Sequence, residues 1–137
     1  MAQLLAAAVI ATSLTAPALE RPTDSGREWE EPPTAARWDG TVEYWQPLVA
    51  LYFDESDVTK ALNIIRCESG GNPYADNPTS SAAGLFQHLK GWYNGAWGLT
   101  GQFDPYNPQQ SIKAGAQLAY DTGSSWGNWT ASAGCWK

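Results

Sequence analysis

The chain has 137 residues, enough for about one domain with a modest core and too few for a second catalytic domain. Its formal charge of −6 excludes nucleic acid as a partner, because neutralising phosphates needs a basic face that eight Lys and Arg against fourteen acids do not supply. Eight tryptophans, six tyrosines and three phenylalanines make it aromatic-rich, a composition that serves buried cores and flat apolar ligand faces alike.

Residues 1–18, MAQLLAAAVIATSLTAPA, combine an apolar run with a small-x-small end at Ala16-Pro17-Ala18, the pattern of a secretory signal. The run is too rich in Ala, Thr and Ser to make a spanning helix, so export is expected rather than anchoring. Residues 19–37 carry Pro22, Pro32, Pro33 and five acids with almost no aliphatic side chain, as expected of a disordered linker. The globular domain is therefore expected over 38–137. The acidity lies mostly ahead of it: residues 1–60 hold ten acids and four bases, residues 61–137 four of each.

Pro47 suits the first turn of a helix running to about Phe53, with Trp45, Leu48, Val49, Leu51 and Tyr52 as its apolar surface. After a break at Asp54-Glu55-Ser56, Asp57 is placed to N-cap a second helix. Val58, Ala61, Leu62, Ile64 and Ile65 recur along it at helical spacing, and Gly70-Gly71 stops it. Residues 72–83 read as loop or short irregular strand, and Gly84 to Leu89 resumes an apolar pattern. A further helix is predicted from Pro108 through Ile112, Ala116, Leu118 and Ala119 to Tyr120, ended by Gly123. The Gly-, Ser- and Trp-rich tail SSWGNWTASAGCWK supports no element assignment, and no repeat of solenoid length is present in the sequence.

Continuing the stripe from Ile64 and Ile65 by three or four residues reaches Glu68, so this carboxylate projects from the buried face of the helix's last turn. Desolvation and the negative end of the helix dipole both favour its neutral form there. A carboxylic acid kept neutral near pH 7 can protonate a glycosidic oxygen and, once ionised, take a proton back. The bland alternative is a helix-ending acid paired with Arg66 or Lys90. A second carboxylate, if the chemistry needs one, must come from Asp76, Asp104 or Asp121. Two cysteines in a chain with a signal-like start suggest a Cys67–Cys135 disulfide, with two reduced thiols as the alternative. The single histidine, His88, cannot build a zinc site with two paired cysteines, so no metal and no cofactor are expected.

Glu68-Ser69, Asn72-Pro73, Ala75, Asn77, Ala82 and Gly84-Leu85-Phe86-Gln87 resemble the signature of soluble lytic transglycosylases, the group that shares a lysozyme-like fold with goose-type lysozyme. The string Cys67-Glu68-Ser69-Gly70-Gly71-Asn72 also resembles resuscitation-promoting factors, small secreted muralytic domains with one cysteine before the catalytic Glu and another near the C-terminus. The resemblance implies a mainly α (α+β lysozyme-like), single compact helical domain with a short irregular loop or strand region. It implies Glu68 as the acid and base that cleaves the bond between N-acetylmuramic acid and N-acetylglucosamine in peptidoglycan. The substrate's acetamido group assists, and the muramyl 6-hydroxyl closes a 1,6-anhydro ring. By the same resemblance Ser69 supports the site, Phe86 and Gln87 line the sugar groove, and Asn77 lies near a substrate-contacting serine of many members. Their Ala-Tyr-Asn-Ala-Gly motif is absent here, and Tyr120 stands in for its tyrosine.

Against these roles, Ser69 and Gln87 serve equally well as loop and core hydrogen bonders, and Trp92, Tyr93 and Trp97 are read as core before sugar-stacking platforms. The expected protein is an exported monomer, peripheral to the cell envelope, acting on peptidoglycan glycan strands and encoded by a bacterium or a phage. A hydrolytic lysozyme and a non-catalytic glycan-binding module are the rival readings.

Overall fold

The computed structural model describes residues 31–121 and 125–137; the expected signal segment, the linker as far as residue 30 and the helix stop at Gly123 lie outside them. Helix α1 covers Gln46–Tyr52, with Pro47 in its first turn, where a missing N–H costs no helical bond. It ends as Phe53 turns extended (φ −107°, ψ 151°). Helix α2 covers Val58–Ser69 and stops at Gly70, whose left-handed conformation (φ 65°) returns its N–H to the Arg66 carbonyl at 3.1 Å. Helices α3 (Lys90–Tyr93), α4 (Pro108–Asp121) and α5 (Ala133–Trp136) follow, with a 3-10 segment over Ser125–Ser132 bent at Trp129.

Two expectations at the start of α2 are corrected. The break before it is itself a 3-10 turn, Glu55–Asp57, and Asp57 makes no side-chain cap bond. Its carboxylate instead accepts the Tyr120 hydroxyl at 2.7 Å, a tertiary bond from α4 that replaces the local one. At the N-terminal end, the compact unit takes in Pro32 onwards: Thr34 exchanges backbone hydrogen bonds with the Tyr44 hydroxyl at 3.1 and 3.2 Å.

The architecture is mainly helical. Helix α1 packs on α2 and α4, α4 packs on the Ser125–Ser132 segment, and α5 packs on α2. Leu48, Val49, Ile64, Ile65, Ile112 and Leu118 face one core with Trp45, whose indole N–H reaches the Gly71 carbonyl at 2.8 Å. A run of rings crosses it, with centroids 5.9 Å apart for Phe53 and Phe86, 5.4 Å for Phe86 and Trp129, and 6.1 Å for Trp129 and Trp126. Extended pairing among the described residues is limited to three isolated antiparallel bridges, Asp76–Ala83, Ala83–His88 and Asn94–Gln102. The expected loop or irregular strand after α2 is the first of these.

Gly84 makes the close approach of that loop possible: its φ is +82°, and a Cβ there would lie 1.9 Å from the Pro105 carbonyl oxygen. His88 is a packing residue. It is buried between Phe86 and Phe103 with Nε2 2.9 Å from the Ser111 carbonyl, and burial pushes its pKa down to about 4, so the ring is neutral. Among the described residues no group of three metal-donor side chains is clustered, and no helix is long and apolar enough to cross a membrane.

Candidate active site

Cys67 and Cys135 are joined by a disulfide, with Cα atoms 6.1 Å apart and a separation of 68 along the chain. The bond lays the C-terminal turn against the last turn of α2, where Glu68 is the next residue. Glu68 is half-buried, and burial raises its pKa above the ordinary carboxylate value. The nearby Ser132 hydroxyl is the smaller influence and acts in the opposite direction. Ser132 is itself fixed. Its Oγ accepts the Trp136 indole N–H at 3.0 Å and lies 3.2 Å from the Trp129 carbonyl, to which it can donate. Arg66, the nearest base along α2, is drawn away to Glu43 and Asn63, so the paired-acid alternative for Glu68 through Arg66 has no support.

The other expected site residues divide by what their polar atoms already do. The Ser69 hydroxyl donates to the Ile65 carbonyl at 3.0 Å and accepts the Gly71 N–H at 3.2 Å, finishing the end of α2. Asn77 is exposed; its Oδ1 accepts the Thr79 N–H and hydroxyl at 2.8 and 3.0 Å and turns the loop. Gln87 sits at φ +52°, an uncommon conformation for a residue with a side chain. Its Nε2 donates to the carbonyls of Ala75 and Gly84 at 3.1 and 3.0 Å, so Oε1 is the group it has left to offer a ligand.

Phe86 requires a correction. It is 0 % exposed and wedged among Phe53, His88 and Trp129, while its carbonyl accepts the Trp129 indole N–H at 3.1 Å. It therefore shapes the core beneath the site and lines no groove. Tyr120 uses its hydroxyl twice within the scaffold, donating to Asp57 and accepting the Asp54 N–H at 2.9 Å, which ties α4 to the turn ahead of α2. Trp97, read as core from the sequence, is 55 % exposed and lies across Gly91, with Trp92 packed edge-on at 5.1 Å.

A family model described as the transglycosylase SLT domain matches residues 49–135, well over half of the chain. The chain belongs to the transglycosylase SLT domain family. Neither a curated protein nor a solved structure matches it. The match opens within α1 and closes on Cys135, so the SLT domain includes both disulfide partners, Glu68 and the segment that carries Ser132. Membership supports a transglycosylase-type, peptidoglycan-directed function at the level of the family. Within this SLT domain Ser132 is the residue that sequence reasoning missed. Its segment shows no helical period, and the only available signal was indirect: Cys135, three residues on, if paired with the neighbour of Glu68.

Proposed function

We propose that the chain is a lytic transglycosylase that cuts the bond between N-acetylmuramic acid and N-acetylglucosamine in peptidoglycan and leaves a 1,6-anhydro muramyl end. The observation that carries this reading is the half-buried Glu68, whose proton affinity burial has raised, within a chain of the SLT family. A neutral carboxyl at that position donates its proton to the glycosidic oxygen as the bond breaks. The resulting carboxylate then takes the proton of the muramyl 6-hydroxyl as that oxygen closes on the anomeric carbon. The acetamido group of the substrate supplies the internal assistance that a second protein carboxylate supplies in other glycosidases. Gln87 through Oε1 and the exposed face of Trp97 are the side chains we assign to holding the glycan. The disulfide favours an oxidising compartment, which agrees with export to the cell envelope and with the signal-like first eighteen residues.

The test is mass spectrometry of soluble products after incubating purified peptidoglycan with the wild type and with Glu68→Gln. The expected result is anhydromuramyl ends from the wild type and a loss of about 10³-fold or more in the variant, the scale of general acid and base catalysis. Reducing ends in their place would make the protein a lysozyme, and sacculus binding without products from either form would make it a glycan-binding module.

A further inference from the structure

We infer that the cavity between α2, the Ser125–Ser132 segment and α5 binds a free carboxylate of the peptide that the muramyl residue of peptidoglycan carries on its lactyl group. The inference rests on the reading of the chain as a peptidoglycan-cleaving enzyme, and it names the part of the substrate beyond the sugars that the domain holds.

The cavity measures about 120 Å³, room for the end of one side chain rather than for a length of glycan. Lys60 of α2 and Lys137 bring two ammonium groups to it, and no carboxylate side chain lines it. Arg66 is paired with Glu43, whereas neither lysine forms an ion pair with a described residue. The Lys60 ammonium lies 4.3 Å from the centre of the Trp126 ring and 5.3 Å from that of Trp136, and the Lys137 ammonium lies 5.8 Å from the Trp136 centre. A ring face takes up one side of an ammonium that has three N–H donors, so the two rings fix the charge in place and leave donors for an anion. In a chain of formal charge −6 this is a local concentration of positive charge. The remaining polar group selects between anions. The Thr130 hydroxyl gives its proton to the Gly127 carbonyl at 2.6 Å, so it offers the cavity lone pairs only. Lone pairs beside two cations suit a ligand with an N–H next to its carboxylate, which a peptide has and a phosphate polymer has not.

The cavity also lies at the right reach from Glu68. Lys60 and Glu68 are eight positions apart on one helix, about 12 Å along its axis at a rise of about 1.5 Å per residue. Eight residues turn the helix by about 80° beyond two full turns, which keeps both side chains on one side of α2. An extended peptide covers about 3.3–3.6 Å per residue, so a stem rooted on the sugar at Glu68 arrives at Lys60 with its third or fourth residue. The disulfide lays out the seam between the two points. Cys67 adjoins Glu68, and Cys135 lies in α5 between Ala133 and Trp136, which form one wall of the cavity. Those two side chains and the Trp126 ring offer apolar surface to the carbon atoms that carry the stem's carboxylate.

The probes are a synthetic stem tetrapeptide with free carboxylates, the same peptide fully amidated, and inorganic phosphate, each titrated against the full chain by NMR of the indole N–H groups. The tetrapeptide is expected to shift the Trp126 and Trp136 signals. Its affinity should fall about 10-fold on amidation and equally with Lys60→Met, the scale of one hydrogen bond to a charged group. Lys60→Arg, which keeps the charge, should retain binding. Amidation is read on the wild type, so the result stands even if Lys60→Met does not fold. No shift at these two rings, or equal binding of the amidated peptide, overturns the site, and phosphate binding as tight as that of the tetrapeptide overturns its assignment to a peptide. In cleavage assays the wild type should show a kcat/KM about 10-fold higher on stem-bearing peptidoglycan than on glycan stripped of its stems, a preference that Lys60→Met removes through KM. A chain that binds the tetrapeptide as described yet releases no muropeptide overturns the enzymatic reading and leaves the peptide site standing. Cleavage without tetrapeptide binding does the reverse.

Discussion

Burial of Glu68 sets its charge against the stability of the fold. Its folded pKa stands above the ordinary value of 4.5 because burial disfavours the charge. Below about pH 4.5 the carboxyl is protonated both folded and unfolded and contributes nothing. As pH rises through the window that opens at 4.5 and closes at the raised folded value, the unfolded chain releases its proton first, and folding stability falls. The neutral amide of Glu68→Gln avoids that loss. This variant should therefore be more stable than the wild type at neutral pH, with the difference closing towards pH 4.5 and below, as read by urea denaturation at a series of pH values. A variant equal to or weaker than the wild type at pH 7 would show that burial does not strain the charge. The half-buried position of Glu68 was legible in the sequence, because a helical stripe states which face a residue is on. Ser132 was not, because nothing periodic marks a short 3-10 turn and its partner lies sixty-four residues back.

At the scale of elements, the loop between α2 and α3 shows why a motif mixes scaffold with site. Within Gly84-Leu85-Phe86-Gln87 the two middle residues are fully buried, Gln87 braces the loop against Ala75, and Gly84 lets it pass Pro105. Sequence resemblance assigns such a stretch to a groove as a block; it does not separate the side chains that turn inward. Gly84→Ala should be severely destabilising, because the added carbon meets a backbone oxygen in a left-handed conformation and no flexible side chain can yield. The expected fall in Tm is about 10 °C or more, measured by circular dichroism. A fall of only a degree or two would mean the Pro105 loop moves aside. The limits of α1 and α2 were foreseen for sound physical reasons, a proline in a first turn and a glycine at a left-handed stop. The Asp57 cap was misjudged because Tyr120 competes for its carboxylate from the far end of α4.

For the whole molecule, one covalent link governs how the C-terminal turn meets α2. In the chain-entropy model a bridge across 68 positions stabilises the fold by about 4 kcal/mol. The double variant Cys67→Ser with Cys135→Ser should lose close to that in denaturant unfolding. Full retention of stability would mean that the aromatic run and α5 dock without the bond.

The same arrangement sets an order of events during synthesis. Glu68 emerges from the ribosome sixty-four residues before Ser132, and domains are made at about 5–20 residues per second. For some seconds the helix that bears the acid exists without Trp129, Ser132 and Trp136, and its carboxyl faces water with ordinary acidity. A half-made chain thus carries the glutamate but not yet the surroundings that raise its proton affinity.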